Sequence, residues 1–194
     1  ESVAPLSYQE DWDNSGLQVG DRNAEVHAAL LTIDVTESVV NEAINKRCDL
    51  IISHHPLLFH GLKHLTGETP QERCVEKAIR HNIAIYSSHT AMDAYIHGVS
   101  GKIADKLGIN HYQILCPTTE QNIGLGVIGT LNNPMNSDDF ILLVQGVFDC
   151  SLRYIEPPAK LITTVAICGG AVAEFIKQAI NQKADLFITA DMKY

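Results

Sequence analysis

Long apolar runs are missing from this sequence. None approaches the roughly 18 to 20 residues that cross a bilayer, and no basic segment precedes an apolar one near the start, so neither a spanning helix nor a secretory leader is expected. Basic charge is scarce as well. Lys and Arg total 14 against 23 Asp and Glu in 194 residues, a formal net charge of −9. A surface that tracks phosphates needs the opposite sign, and no basic cluster interrupts the acidic balance, so a nucleic-acid partner is not expected. The cysteines Cys48, Cys74, Cys116, Cys150 and Cys168 are odd in number, widely separated and without a C-x-x-C pair. That pattern predicts reduced, mostly buried thiols in a cytoplasmic protein. No G-x-G-x-x-G, Walker lysine or G-x-S-x-G occurs, which removes dinucleotide, P-loop and serine-hydrolase readings.

What is present reads as ordinary globular material, 45% hydrophobic and 19% charged, long enough for one large or two small domains. Residues 28–34 form a strand-length apolar run. Thr36 can cap a following helix with Val39, Val40, Ala43 and Ile44 on one face, and residues 50–52 form a second strand. Continuous apolar strands joined in this way suit a parallel sheet covered on both faces, an α/β fold. Thr69-Pro70 opens a helix towards Ile79 and His81, and residues 83–87 make the next strand. A helix over residues 99–107 ends at Gly108. Residues 118–122 are polar and mark a junction between an N-terminal α/β half, 1–117, and a C-terminal half, 118–194. In the second half, strands are expected over 124–131, 152–155, 164–168 and 185–189. Helices are expected from a Ser137 cap with Asp138 and Asp139 through Val147, and over 172–181.

Shifting the sequence by 136 positions lays residues 43–53 on residues 179–189, with six of eleven positions identical. Any two helix-to-strand units share some of this pattern, but the match also predicts two related halves. His54 and His55 would then stand where Ala190 and Asp191 stand in the second half.

In open α/β sheets the groups that do chemistry gather beyond the carboxyl ends of the strands. His54-His55-Pro56 lies at such an end, and neutral imidazole is a common metal ligand. Neighbouring strand residues point to opposite sides, so this pair suits two ions better than one; hydrogen-bonded histidines without an ion are the structural alternative. At the next strand end, His89 and Asp93 share a face if the segment turns helical. Asp93 could anchor metals or cap the following helix. His89 could ligate, or move a proton to bound water as the catalytic group. The mixed donor set suits two divalent ions such as Zn, Mn, Fe or Ni. Around Trp12, Asp13 and Asn14 either form an Asx-turn before Gly16, with the Trp anchoring the segment, or line the crevice and touch substrate. His60 and His64 read as loop residues.

D-W-D-N-S-G-L-Q-V-G at 11–20, I-S-H-H-P-L at 52–57, H-T-x-x-D at 89–93, C-G-G-A at 168–171 and I-T-A-D-M-K-Y at 188–194 are similar to the motifs of the GTP cyclohydrolase I type 2 homologs, the Nif-three-like family. The resemblance implies a three-layer α/β/α fold of two pseudo-symmetric halves, a dinuclear metal centre and a ring-shaped homohexamer. It assigns His54, His55 and Asp93 as ligands, with His89 beside the metals. It also implies a further His and Glu ligand after Tyr194, so the chain is expected to lack its true ends. Ala190 replaces the family's usual Gly, and Ser100 its common Asn. The activity implied is metal-dependent hydrolysis of a small molecule, with GTP ring opening as the namesake; a non-enzymatic metal-binding or interaction role is the alternative.

Overall fold

Parallel pairing organises the first of two units, Glu1–Met92, in the computed structural model, which describes residues 1–118, 122–155 and 161–192. Strands β1 (Gly16–Val19), β2 (Ala29–Thr32), β3 (Leu50–Ser53) and β4 (Ala84–Ser87) lie in the order β1-β4-β3-β2. β2, β3 and β4 run parallel, and β1 pairs antiparallel with β4. Helix α1 (Glu37–Asn45) connects β2 to β3, and α2 (Pro70–Arg80) connects β3 to β4. The caps are those expected: Thr36 Oγ1 accepts from the Val39 N–H and Thr69 Oγ1 from the Glu72 N–H, with Pro70 opening α2. Val40 and Ala43 of α1 and Cys74, Val75 and Ala78 of α2 pack with Ile51, Ile83 and Ile85 in one buried core. Each large aliphatic side chain so buried contributes about 1.5–3 kcal/mol.

Glu72, whose N–H the Thr69 side chain caps, also holds the loop before α2. Its carboxylate accepts from the Thr66 and Glu68 N–H groups and from the Thr66 and Thr69 hydroxyls. The Thr66 backbone bond is the main reason its pKa falls to about 2. Helix α3 (His89–Asp93) then carries the chain to the second unit, Asp93–Tyr194.

That unit contains α4 (Val99–Lys106), β5 (Ile109–Pro117), β6 (Gly124–Asn136), α5 (Ser137–Phe148), β7 (Leu161–Ile167), α6 (Ile176–Asn181) and β8 (Leu186–Ile188). Its sheet has the order β5-β6-β7-β8, antiparallel except for the parallel β7–β8 pair. Phe140 and Val144 of α5 and Ala104 of α4 pack with Ile109, Val127, Ile162, Val165 and Ile167. Contacts divide the chain at Met92/Asp93, whereas the sequence placed a junction after Pro117; β5 pairs with β6 and so belongs to the second sheet. Of the junction, residues 119–121 lie outside those described.

Three local expectations are corrected. β1 and β5 were not foreseen. In β5 the register breaks between Asn110 and Gln113, where His111 takes a positive φ of 50°, and this hides the alternation that marks a strand. Residues 152–155 form no strand, and Ile155 is exposed. The α5 cap is Asn136, whose side chain accepts from the Asp138 N–H, and β6 extends to that residue.

The 136-residue shift holds in the backbone. The β2–β3 register Ala29↔Leu50, Leu30↔Ile51 and Leu31↔Ile52 reappears as Val165↔Leu186, Ala166↔Phe187 and Ile167↔Ile188. Arg47 and Lys183 both leave their helices with positive φ, 56° and 58°. The next amide bonds back in each copy, Cys48 N to Ala43 O at 2.9 Å and Ala184 N to Ala179 O at 3.0 Å. Asp49 Oδ2 accepts from the His27 and Ala28 N–H groups, and Asp185 Oδ2 from those of Thr163 and Thr164. A shared amphipathic pattern alone would not reproduce register and hydrogen bonds together.

Candidate functional site

β3 and β4 finish side by side, Ser53 opposite Ser87, both buried with their hydroxyls 2.8 Å apart. His54 and His55 follow the first serine, and His89, which opens α3, lies just beyond the second. Ser53 Oγ donates to the His55 carbonyl at 2.8 Å and Ser87 Oγ to the same oxygen at 3.3 Å. This bends the chain as the strand ends. The expectation that His54 and His55 point to opposite sides is therefore corrected: their ring centroids lie 4.9 Å apart, with His89 at 5.6 Å from His54 and 5.7 Å from His55. Side-chain alternation applies within a strand, and β3 has ended at Ser53.

His89 and His55 are each held by a carboxylate. His89 Nδ1 is 2.7 Å from Asp13 Oδ1, and His55 Nδ1 is 2.8 Å from Asp34 Oδ1. With the Nδ1 proton given to the acid, each ring keeps its Nε2 lone pair, the arrangement that orients and strengthens a metal-binding or proton-accepting imidazole. Asp13 has no exposed side-chain surface. It also accepts from the Asn14 N–H at 2.7 Å, Ser15 Oγ at 2.8 Å, the Thr90 N–H at 3.1 Å and the Thr90 hydroxyl. Burial opposes its charge, but the His89, Thr90, Ser15 and Asn14 bonds prevail and hold its pKa at about 2. Burial lowers the pKa of His54, helped by His55 and His89, which favours the neutral, lone-pair-bearing ring.

The turn around Trp12 is tied to the neighbouring segments through Asn14 and Gln18. Asn14 Nδ2 donates to the Leu58 carbonyl at 2.6 Å, and Gln18 Oε1 accepts from the Leu58 N–H at 3.0 Å. Asp13 and Asn14 thus position His89 and the loop after Pro56. Gly16, at φ +110°, lets the chain leave this turn into β1, where a side chain would be strained. Trp12 is exposed instead of anchoring the segment, its ring 6.0 Å from both Phe59 and His89. His60 and His64 lie in the exposed loop, as expected.

Asp93 closes the helix that His89 opens, one turn along it. Within the second unit its charge, after burial and Cys116, helps to push the Cys168 thiol up to about 12. Asp34, Thr90 and Phe59 were not singled out by sequence. Asp34 had a usable signal, an acid just past β2, the strand paired parallel to the one that ends just before His54. Imidazoles sharing a cation at about 2.0–2.1 Å bring their ring centres to roughly 5 Å of one another, close to the spacing found. Among the described residues, however, no group of three or more His, Cys, Asp or Glu side chains is placed so that it could hold a metal ion. The donor types suit a divalent cation; their described placement does not by itself make a site.

The family described as Duf34/NIF3 (NGG1p interacting factor 3) matches residues 1–194. The GTP cyclohydrolase 1 type 2 homolog of Clostridium acetobutylicum is 35% identical over 197 residues, covering all of this chain and 74% of that protein. NIF3-like protein 1 of Drosophila melanogaster is 34% identical over 199 residues, covering all of this chain and 67% of its own length. Among solved structures, Staphylococcus aureus protein SA1388 superposes with a TM-score of 0.90 at 30% identity, covering all of this chain and 77% of that one.

Proposed function

Because the chain belongs to the Duf34/NIF3 family, we propose that it binds two divalent metal ions and uses them in hydrolysis of a small molecule. The observation that carries this reading is the pair of carboxylate-held imidazoles, His55 on Asp34 and His89 on Asp13, beside a half-buried His54. His54 and His55 are the nitrogen ligands, and Asp93 is the oxygen ligand, placed one helical turn after His89. Zn, Mn, Fe or Ni suits this set better than Ca or Mg. When bound, such ions lower the pKa of water towards neutrality and polarise the bond to be cleaved. His89 takes the proton from the attacking water on Nε2 while Asp13 stabilises the resulting imidazolium through Nδ1. Asp34 holds the His55 ring at one angle, and Ser53 and Ser87 fix the backbone beneath it. The relatives' name points to the guanine ring of GTP as a first substrate to test.

A second reading is metal binding without turnover in an interaction protein, which the family description as an interacting factor supports. The two separate in one experiment. Metal-reconstituted protein is screened for turnover of nucleotides and cyclic amides, with elemental analysis and a His55→Ala control. Turnover that disappears in the variant supports hydrolysis; stoichiometric metal without turnover supports the second reading; no bound metal refutes both. Self-association into a ring of six is also proposed, and mass measurement by light scattering tests it. Among the described residues no helix is long and apolar enough to cross a membrane.

A further inference from the structure

We propose that the outer edge of β2 is a self-association surface, on which two copies of the chain join their β2 strands antiparallel about a twofold axis. The inference is independent of the metal reading and supplies a twofold contact for the ring of six proposed above. β2 is the last strand of its sheet, paired with β3 on one side alone. On that side the Ala28 and Thr32 carbonyls accept from the Leu50 and His54 N–H groups, at 3.3 and 3.2 Å. Because alternate residues of a parallel strand bond to the same side, the N–H and C=O groups of Ala29 and Leu31 face outwards. Val26, His27, Ala29, Leu31 and Ile33 are all exposed, Leu31 at 74% and Ile33 at 65%.

The internal repeat indicates what such an edge accepts. Under the 136-residue shift, Ala29, Leu30 and Leu31 fall on Val165, Ala166 and Ile167 of β7. The bond from the Asp49 N–H to the Ala28 carbonyl, 2.9 Å, recurs as the Asp185 N–H on the Thr164 carbonyl, 2.8 Å, so the two strands present the same backbone groups to the same sides. In the second unit the outer side of β7 carries β6, antiparallel, with Val127 opposite Ile167 and Gly129 opposite Val165. The equivalent edge is filled in one half of the repeat and open in the other.

Charge makes a second copy the occupant. Open edges are ordinarily guarded by a charged residue, a proline or a bulge. Residues 28–33, A-A-L-L-T-I, hold no charge and no proline, and the β2–β3 register is unbroken. When identical strands pair, each charge meets its like, and this strand has none to repel, in a chain whose formal net charge is −9. Setting Ala29 of each copy opposite Leu31 of the other uses every outward N–H and C=O group of the two strands. That register puts Leu30 against Leu30 on the twofold axis. It also brings His27 of each copy level with the Ile33–Asp34 end of the other, so that an imidazole approaches a carboxylate at both ends of the joined pair.

The full chain is followed by light scattering over a wide range of concentration, and by amide hydrogen exchange in its assembled state. An even number of copies is expected, with slow exchange at Ala29 and Leu31 although their N–H groups face out of the sheet. Leu31→Lys, at an exposed position, puts like charges onto the joined edge and should weaken the pairing about tenfold or more, halving the mass under conditions where the parent is fully paired. Exchange is read on the parent chain, so it decides even where the variant is unstable. A mass unchanged by Leu31→Lys, free exchange at Ala29 and Leu31 in the assembled protein, or a single copy at every concentration each overturns the proposal. An assembly of six that survives Leu31→Lys sinks this inference alone; pairs that part in Leu31→Lys and never reach six support it and sink the ring alone.

Discussion

Asp13→Asn isolates the contribution of one carboxylate, because the substitution keeps the shape and removes the charge. Asp13 faces five donors: His89 Nδ1 and the Asn14 N–H on Oδ1, and Ser15 Oγ, the Thr90 N–H and the Thr90 hydroxyl on Oδ2. An Asn must turn its NH2 towards one of these groups. At the Oδ2 position, the serine and threonine hydroxyls can rotate away, but the Thr90 N–H is left without its acceptor, at a cost of about 1–3 kcal/mol. At the Oδ1 position, His89 must shift its proton to Nε2, and the ring loses the lone pair that the site needs. Either way the charge-assisted bond to His89 is lost, and the expected loss of stability is about 2–4 kcal/mol. Loss of the carboxylate that orients His89 should also lower turnover by the metal-reconstituted protein about 10–100-fold. The pH profile supplies a second reading of the same residue. Asp13 titrates at about 2 in the fold against 3.8 unperturbed, so its contribution is present in full above about pH 4 and is lost as pH falls through about 2. Thermal unfolding from pH 7 to pH 2 should show the variant below the parent at neutral pH, with the two curves converging in acid. Parallel curves, or turnover equal to the parent's, would refute the reasoning.

Other consequences follow from the fold. Ile85→Ala empties a fully buried position between β4 and the helices and should destabilise the protein by about 2–5 kcal/mol in urea unfolding, with the midpoint reporting the loss. Asp49→Ala and Asp185→Ala each remove the acceptor of two strand-entry N–H groups, at equivalent places in the repeat; both should lower the melting temperature, and hydrogen exchange should rise at His27 and Ala28 in the first and at Thr163 and Thr164 in the second. Glu72→Gln removes the charge that accepts from Thr66, Glu68 and Thr69. Faster proteolysis between Phe59 and Thr66, with the core melting transition retained, is the outcome to look for.

Much of this was legible before any coordinates. Capping residues are local signals, which is why Thr36, Thr69 and Pro70 located α1 and α2. The helix-to-strand repeat could be read because the same helix exit and the same aspartate serve the same hydrogen bonds in both copies. His54, His55 and His89 were found because chemistry collects where parallel strands end, and both ends are apolar runs that stop at polar residues.

Tertiary structure decided the rest, for a physical reason that sequence spacing does not carry. Partners distant along the chain determined it: Asp13 reaches His89, Asp34 reaches His55, and Asn14 reaches Leu58. Asp13 reads locally as a turn or crevice residue and Asp34 as the end of an apolar run, and the pairing of β1 with β4 and of β2 with β3 brings them to the histidines. The bend after Ser53 is likewise made by a hydroxyl from the neighbouring strand as well as its own, so it turned rings expected to diverge into neighbours 4.9 Å apart. Residue types and periodicity determined which groups could do chemistry; long-range hydrogen bonds determined which of them hold the others in place.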